Sequence, residues 1–391
     1  MALAVDRVSK SILAKARRLR EDFHRHPELA YEERRTARVI ADVLRKVGLD
    51  EVRTGIAGTG VVGLLRGGRP GKTIALRADI DALPILEESG LPYASVNDGV
   101  MHACGHDGHM AILLTVAQML GSMRADVPGT IKFIFQPAEE GEAGGKQMAE
   151  AGVMHDPDVD AIFALHGTSG LDVGKIQLAA VPYVAMNGFQ INVRGKGGHG
   201  AAPESTVDPI MIGAQIVTAL QAIVSRERRP DRPLVLSICT FEAGTKENII
   251  PEHARLQGTI RALDMKTLRR VRRSMERVAD GVARSLRGHA EVTDYQIYPP
   301  VINDARLLVL VREVGVELLG RRNVLDATVQ RMASEDFAFY LPDQGGAPGV
   351  MFQLGIETHE NHHTPRFDFG SGALEPGILM MANVAIRAAQ A

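Results

Sequence analysis

Cysteine is nearly missing from this chain and tryptophan is entirely so: 391 residues hold only Cys104 and Cys239 as thiols. Two thiols cannot build a disulfide framework, so the sequence reads as one suited to a reducing compartment, the cytoplasm. A dominant charge is also lacking. The net charge of −2 gives neither nucleic acid nor an anionic membrane a hold on the whole chain. No uninterrupted apolar run approaches the roughly 20 residues of a membrane span. The N-terminal MALAVDRVSKSILAKARRLRED reads as a charged amphipathic helix without an apolar signal core. The basic cluster Arg226-Glu227-Arg228-Arg229, followed by Pro230-Asp231-Arg232-Pro233, reads as a solvated loop. Internal repeats and low-complexity segments are not evident. What remains is a hydrophobic content of 45%, ordinary for a soluble globular enzyme, on a chain long enough for two domains.

Periodicity orders the chain. Val8, Ile12, Leu19 and Phe23 recur at helical spacing up to Pro27, and Ala37, Ile40, Leu44 and Val47 do so up to Gly48. Strands GVVGLLRG and KTIALRADI follow, then helix AILLTVAQML, strand GTIKFIFQP, helix AGGKQMAEAGVM and strand VDAIFALHG. Alternating strands and helices predict an α/β domain with a mostly parallel sheet. Such sheets bind ligands at the carboxyl ends of their strands. From about Met186 the order becomes strand, helix, strand, strand, helix, strand up to Pro299-Pro300, the split βαβ pattern of ferredoxin-like domains. The α/β grammar then returns with ARLLVLVREVGVELLG, PGVMFQLG and a C-terminal helix from Ala373. The expected division is 1–184 and 302–391 as one discontinuous catalytic domain, with 185–301 as an inserted ferredoxin-like lid.

The chemistry concentrates in MHACGHDGHM, Met101 to Met110. Cys104 and His106 are alternate residues about Gly105, so a tight turn can aim both at one cation. Thiolate and imidazole suit borderline ions such as zinc. His109 could be a third ligand or simply a helix-start residue; His102 is the weakest candidate. Glu139-Glu140 follow an apolar strand between Pro137 and Gly141, where packing has no use for them. A hydrolytic metal site does: one carboxylate to ligate and one as general base. The bland alternative is a solvated acidic turn. His166, at the end of a buried strand, reads as either a ligand or a satisfied core histidine, and His362-His363 lie in a polar loop.

Two glycine-rich stretches mislead. Gly58-Thr59-Gly60-Val61-Val62-Gly63 matches a dinucleotide fingerprint, but it runs into VVGLLRGGRPGK with no helix to hold a pyrophosphate. Arg194-Gly195-Lys196-Gly197-Gly198-His199-Gly200 lacks the Lys-Ser/Thr ending of a phosphate loop.

Taken together, LREDFHRHPELAYEE, RADIDALP, HACGHDGHM, FQPAEEGEAGG, LHG, GKGGHGAAP, ENIIPE and HHTPRFDF resemble the M20 metallopeptidase family, in particular its amidohydrolase branch. The resemblance spans essentially the whole chain. It implies a catalytic domain with two divalent metal ions, interrupted by a lid domain that dimerises. It implies Cys104 as the bridging ligand, with His106, Glu140, His166 and His363 completing the two coordination sets. His363 is preferred to His362 because it directly precedes Thr364-Pro365. Glu139 would be general base and acid. His199 would meet the substrate carbonyl, commonly in the partner subunit's site, and Asn248 would bind substrate. Asp79 stands where related branches carry a metal-binding histidine, so that duty would pass to His106, with Asp81 orienting a ligand imidazole.

The implied activity is cleavage of an N-acyl or N-aroyl amino acid, hippurate for instance, with zinc or manganese, or else nickel or cobalt, in a homodimer or a dimer of dimers. N-acetyl-diaminopimelate deacetylation and small-dipeptide hydrolysis are alternatives within the family. From outside it stand a metal-independent cysteine amidase using Cys104 and a non-catalytic, metal-stabilised binding protein. The presence of Glu139 argues against the last.

Overall fold

The computed structural model of the chain describes residues 5–327 and 331–391. In chain order its elements begin with α1 (Lys10–Arg25), α2 (Arg34–Val47), β1 (Glu51–Ile56), β2 (Gly60–Arg66), β3 (Arg69–Asp79), α3 (His106–Ser122) and β4 (Pro128–Gln136). There follow α4 (Glu139–Glu142), α5 (Gly144–Glu150), β5 (Ala161–Thr168), β6 (Ile176–Leu178), β7 (Ala185–Arg194), β8 (Gly198–His199) and α6 (Pro209–Ala222). The chain continues through β9 (Leu234–Ala243), β10 (Ile249–Ile250), β11 (His253–Ala262), α7 (Met265–Ser285) and β12 (His289–Tyr298). It ends with α8 (Ala305–Leu319), β13 (Val324–Asp326), β14 (Gly349–Gly355) and α9 (Leu374–Gln390). Two compact units result: Met1–Pro182 with Ile302–Val329 and Asp336–Ala391, and Tyr183–Val301 with Gln330–Glu335. The fold is thus α/β with an inserted domain.

The first unit is built on an eight-stranded sheet in the order β1-β2-β4-β3-β5-β14-β6-β13. Its centre, β4-β3-β5-β14, is parallel throughout. The antiparallel β1-β2 hairpin continues onto β4 on one side, and β6 pairs antiparallel to β14 on the other. The sheet is therefore mixed at its flanks, because a hairpin needs only a short turn where a parallel neighbour needs a crossover. β5 is buried along its whole length, as expected of a strand covered on both faces. Residues Ala111 to Ala117 of α3 are buried on every side, the behaviour of a helix that is apolar all round.

Helix starts and stops obey local chemistry. The Ser9 hydroxyl accepts from the Ile12 N–H and starts α1, so the N-terminal helix begins at Lys10, with Val5 and Val8 buried ahead of it. The first four residues of the expected helix lie outside the described residues. Gly48, left-handed at φ 77, stops α2.

The inserted unit has a four-stranded antiparallel sheet in the order β12-β7-β11-β9. Helices α6 and α7 pack on it, burying Ile212, Ile216 and Leu220 from one and Leu268, Val271, Met275 and Ala279 from the other. That is the strand order of a ferredoxin-like domain. Helix α6 runs on as a wider turn, Ile223–Glu227, so Arg226 and Glu227 are helical where a loop was expected. By length and composition Pro209–Glu227 would pass as a membrane span, yet its buried face rests on the sheet of its own unit.

Candidate metal centre

The loop that enters α3 is shaped by two glycines. Gly105, at φ 95, caps the helix in the left-handed conformation, which side chains disfavour. Gly108 is required by proximity, since a Cβ there would lie 2.5 Å from the Phe369 ring. The turn gathers Cys104, His106 and His166, whose donor atoms lie within 4.8 Å of one another, and equally Cys104, Glu140 and His363. Cys104 belongs to both groups. All five expected ligands therefore meet in the first unit, supplied by the ends of β4 and β5, the start of α3 and the loop before α9. Glu139 joins them, with its Oε2 4.0 Å from His106 Nε2.

Hydrogen bonds decide which nitrogen each histidine offers. His106 Nδ1 donates to the Asp81 carbonyl at 2.9 Å and lies 3.3 Å from Asp81 Oδ1. Its Nε2 is buried and has no hydrogen-bond partner among the described residues. His166 Nδ1 donates to the Gly167 carbonyl at 2.7 Å, turning Nε2 toward Cys104 Sγ at 3.5 Å. His363 Nε2 lies 3.1 Å from Glu140 Oε1, and its backbone N–H donates to the Ala103 carbonyl at 2.8 Å. His362, by contrast, donates from Nε2 to the Gly167 carbonyl at 3.0 Å and stacks on His166.

His109 has both nitrogens engaged. Nδ1 donates to Asp79 at 2.7 Å, and Nε2 accepts from the Gly167 N–H at 2.8 Å. Asp79 in turn takes a 2.8 Å hydrogen bond from Arg77. His102 is fully buried with neither nitrogen hydrogen-bonded among the described residues, and burial pulls its pKa down to about 4.

The electrostatics ask for positive charge. Burial, then the carboxylates of Glu140, Glu139 and Asp79, push the Cys104 thiol well above its ordinary range. Burial works against a charged His106, but Asp79, Asp81 and Glu140 outweigh it and raise the imidazole to about 10. His166 goes the other way: burial, with His109 and His362 beside it, holds it well below the ordinary imidazole range. A thiolate–imidazolium pair between Cys104 and His166, which a cysteine nucleophile needs, is disfavoured at both partners. A thiolate, imidazole and carboxylate set with an unpaired buried Nε2 fits divalent cations instead.

Behind the loop lies a buried ionic cluster that sequence reading passed over. Asp107 accepts from Arg20 Nε at 2.8 Å and from His24 Nδ1 at 2.9 Å; His24 Nε2 reaches Glu87 at 3.2 Å, and Arg20 also pairs with Asp368. The periodicity of α1 marks its apolar face but is silent on buried charges.

In the inserted unit, β8 and β10 form a short antiparallel ladder that sets His199 opposite Ile249, and the Gly200 N–H donates to the Asn248 carbonyl at 2.9 Å. His199 and Asn248 are thus neighbours, both exposed. The Ala201 N–H donates to His199 Nδ1 at 3.0 Å, so in the neutral ring Nε2 carries the proton.

The sequence pattern of peptidase family M20/M25/M40 matches residues 75–387. A thermostable carboxypeptidase of Saccharolobus solfataricus is 39% identical over 379 residues, 94% of each chain. An N-acyl-L-amino acid amidohydrolase of Geobacillus stearothermophilus is 44% identical over 301 residues, covering 76% of this chain and 80% of that protein. Among solved structures, a Bacillus subtilis protein described as a dinuclear metal binding peptidase superposes with a TM-score of 0.84 at 35% identity, covering 97% of this chain and 99% of that one.

Proposed function

The chain belongs to the M20/M25/M40 peptidase family as a metal-dependent hydrolase of amide bonds, and from that premise we propose that its substrates are N-acyl amino acids. Its relatives include a carboxypeptidase and an N-acyl-amino-acid amidohydrolase. Amides cleaved under both names release an amino acid with a free carboxylate, which supports that leaving group here. Hippurate and N-acetyl amino acids are the first substrates to try. N-acetyl-diaminopimelate and small dipeptides are the alternatives.

The observation that carries the proposal is the sharing of Cys104 between two ligand triads, one with His106 and His166 and one with Glu140 and His363, with Glu139 alongside. On this reading the two triads would hold two divalent ions, zinc or manganese, with nickel or cobalt also compatible, and Cys104 would serve both. When bound, the ions would polarise the scissile carbonyl and make water nucleophilic near neutral pH.

The chain's own residues do the rest. Glu139 accepts the proton of the attacking water and returns it to the leaving amine. Asp81 holds His106 through Nδ1, which leaves Nε2 free to serve as the ligand atom. His199 presents Nε2–H as a donor to the developing oxyanion, because its Nδ1 is occupied by the Ala201 N–H. Asn248, beside it, binds substrate. The setting we propose is a reducing, cytoplasmic one, in which Cys104 is available as a thiol.

The experiment is turnover of a panel of N-acyl amino acids by protein reconstituted with each metal, beside Glu139→Gln. The variant is expected to keep its metal content and lose on the order of a thousandfold in kcat. Near-normal turnover by Glu139→Gln would remove Glu139 from its role. Activity that survives chelation would remove the metals.

A further inference from the structure

The turn that carries Glu139 and Glu140 has costly backbone angles. Ala138 and Ala143 are left-handed at φ 54 and 53, Gly141 lies at φ 94, and Glu140 departs from helical geometry within α4. Such angles persist in non-glycine residues only where the surroundings over-determine them. Here three buried carboxylates each accept a backbone N–H of the turn. Glu33 takes that of Ala138 at 3.0 Å, Asp81 that of Glu140 at 2.9 Å, and Asp336 that of Gly145 at 2.7 Å.

Two of the three have other employment. Asp81 backs His106, and Asp336 pairs with Arg77 at 2.9 Å and with Gln136. Among the described residues, Glu33 has neither a cation nor a ligand imidazole beside it. Its partners are the Thr59 hydroxyl, donating at 2.5 Å, and the Ala138 N–H. It stands at the N-cap position of α2, yet its side chain does not cap that helix. Glu28 does so instead, accepting from the Arg35 and Thr36 N–H groups at 3.0 and 2.8 Å. A fully buried carboxyl without a counter-charge is costly to keep, even when it is hydrogen-bonded. Burial, added to by Asp81, brings Glu33 to about 7.

We infer that Glu33 is a positioning residue for the general base: by holding the Ala138 N–H it fixes the left-handed residue just before Glu139, and with it the direction of the Glu139 carboxylate. The inference rests on the reading of Glu139 as base. Because Asp81 holds the Glu140 N–H separately, loss of the Glu33 contact releases Glu139 and spares the Glu140 ligand. The effect therefore falls on kcat and leaves KM and metal content alone.

The test uses the metal-loaded enzyme with Glu33→Leu, which has no acceptor, and Glu33→Gln, whose amide oxygen still accepts from Ala138. Glu33→Leu is expected to lose on the order of 10- to 100-fold in kcat, with KM within about twofold and metal stoichiometry unchanged. Amide hydrogen exchange in residues 138–145 should accelerate by about tenfold or more. Glu33→Gln should restore both. Normal kcat and exchange in Glu33→Leu, a loss confined to KM or metal content, or a Glu33→Gln enzyme as impaired as Glu33→Leu would each overturn the inference. A measurement without any variant guards against a Glu33→Leu protein that does not fold. The Ala138 amide of the unmodified enzyme must be protected from exchange, and a freely exchanging one also overturns the inference. Glu139→Gln in the same assays separates the two readings. If it keeps full turnover, the base assignment fails, while the exchange results still decide whether Glu33 holds the turn.

Discussion

At the scale of single residues, adjacent side chains with the same chemistry receive different work. His362 and His363 are both imidazoles in one loop, yet His363 adopts φ 62 and turns its Nε2 to Glu140, while His362 donates to the Gly167 carbonyl. The left-handed residue splits the doublet. Replacing His363 by Ala should therefore remove about half of the bound metal after dialysis, measured by elemental analysis. His362→Ala should keep the full complement and show at most weaker affinity, the usual cost of losing a supporting hydrogen bond. Equal metal loss in both would mean that the doublet shares the ligand position. His109 follows the same logic. Its two hydrogen bonds leave it no lone pair for a cation, and it joins the end of β3 to the end of β5 through Asp79 and Gly167.

At the scale of elements, α1 is tied to the start of α3 by charge as well as by packing. Burial alone would lower the His24 pKa, but its hydrogen bonds to Asp107 and Glu87 outweigh burial and the repulsion from Arg20, raising it to about 9. Tyr93 and His102 are the other ring neighbours, and both lie beside it uncharged at neutral pH. A folded-state pKa above the unfolded value of 6.5 means that the folded protein holds this proton more tightly. The stabilisation is complete below pH 6.5 and is lost as pH rises through about 9. Its size is on the order of 3 kcal/mol. Comparing urea unfolding of the wild type and His24→Gln, the gap should be widest near pH 6 and close toward pH 10. A gap independent of pH would assign the contribution to packing. Asp107 contributes with the opposite sign: its carboxyl, held below the ordinary range mainly by Arg20 and His24 against the effect of burial, loses its share as pH falls.

At the scale of the whole molecule, one chain makes two units, and the second interrupts the first between β6 and α8. Its sheet ends in two edge strands, β9 and β12. Along β9 and α6 lie Phe241, Ile210 and Met211, exposed at 40%, 39% and 56%. An apolar strip beside an open strand edge is avoided in monomers, which supports a homodimer through the inserted domain, as the family resemblance implies. Sedimentation equilibrium should give about twice the mass of the 391-residue chain, and Met211→Lys with Phe241→Lys should shift it toward one chain. A monomeric wild type would end that proposal and leave His199 to serve its own subunit.

How much of this could be read in advance follows from how far each cause reaches along the chain. The α/β and ferredoxin-like patterns were legible, because periodicity is local and each strand or helix writes its own. The ligand candidates were legible only in part: Cys104, His106 and the Glu139-Glu140 pair carry chemistry that packing does not require where they stand, whereas His166 and His363 joined them only through the family resemblance. The sequence by itself thus determined which elements form and which donor atoms are on offer. Tertiary structure decided what each donor does. His109 lost its claim as a ligand to Asp79 and Gly167, which lie 30 and 58 residues away in sequence. Glu33 acquired its place through Ala138, 105 residues on. A side chain's role is fixed by the hydrogen-bond partners that close around it, and those partners come from segments that only folding brings together.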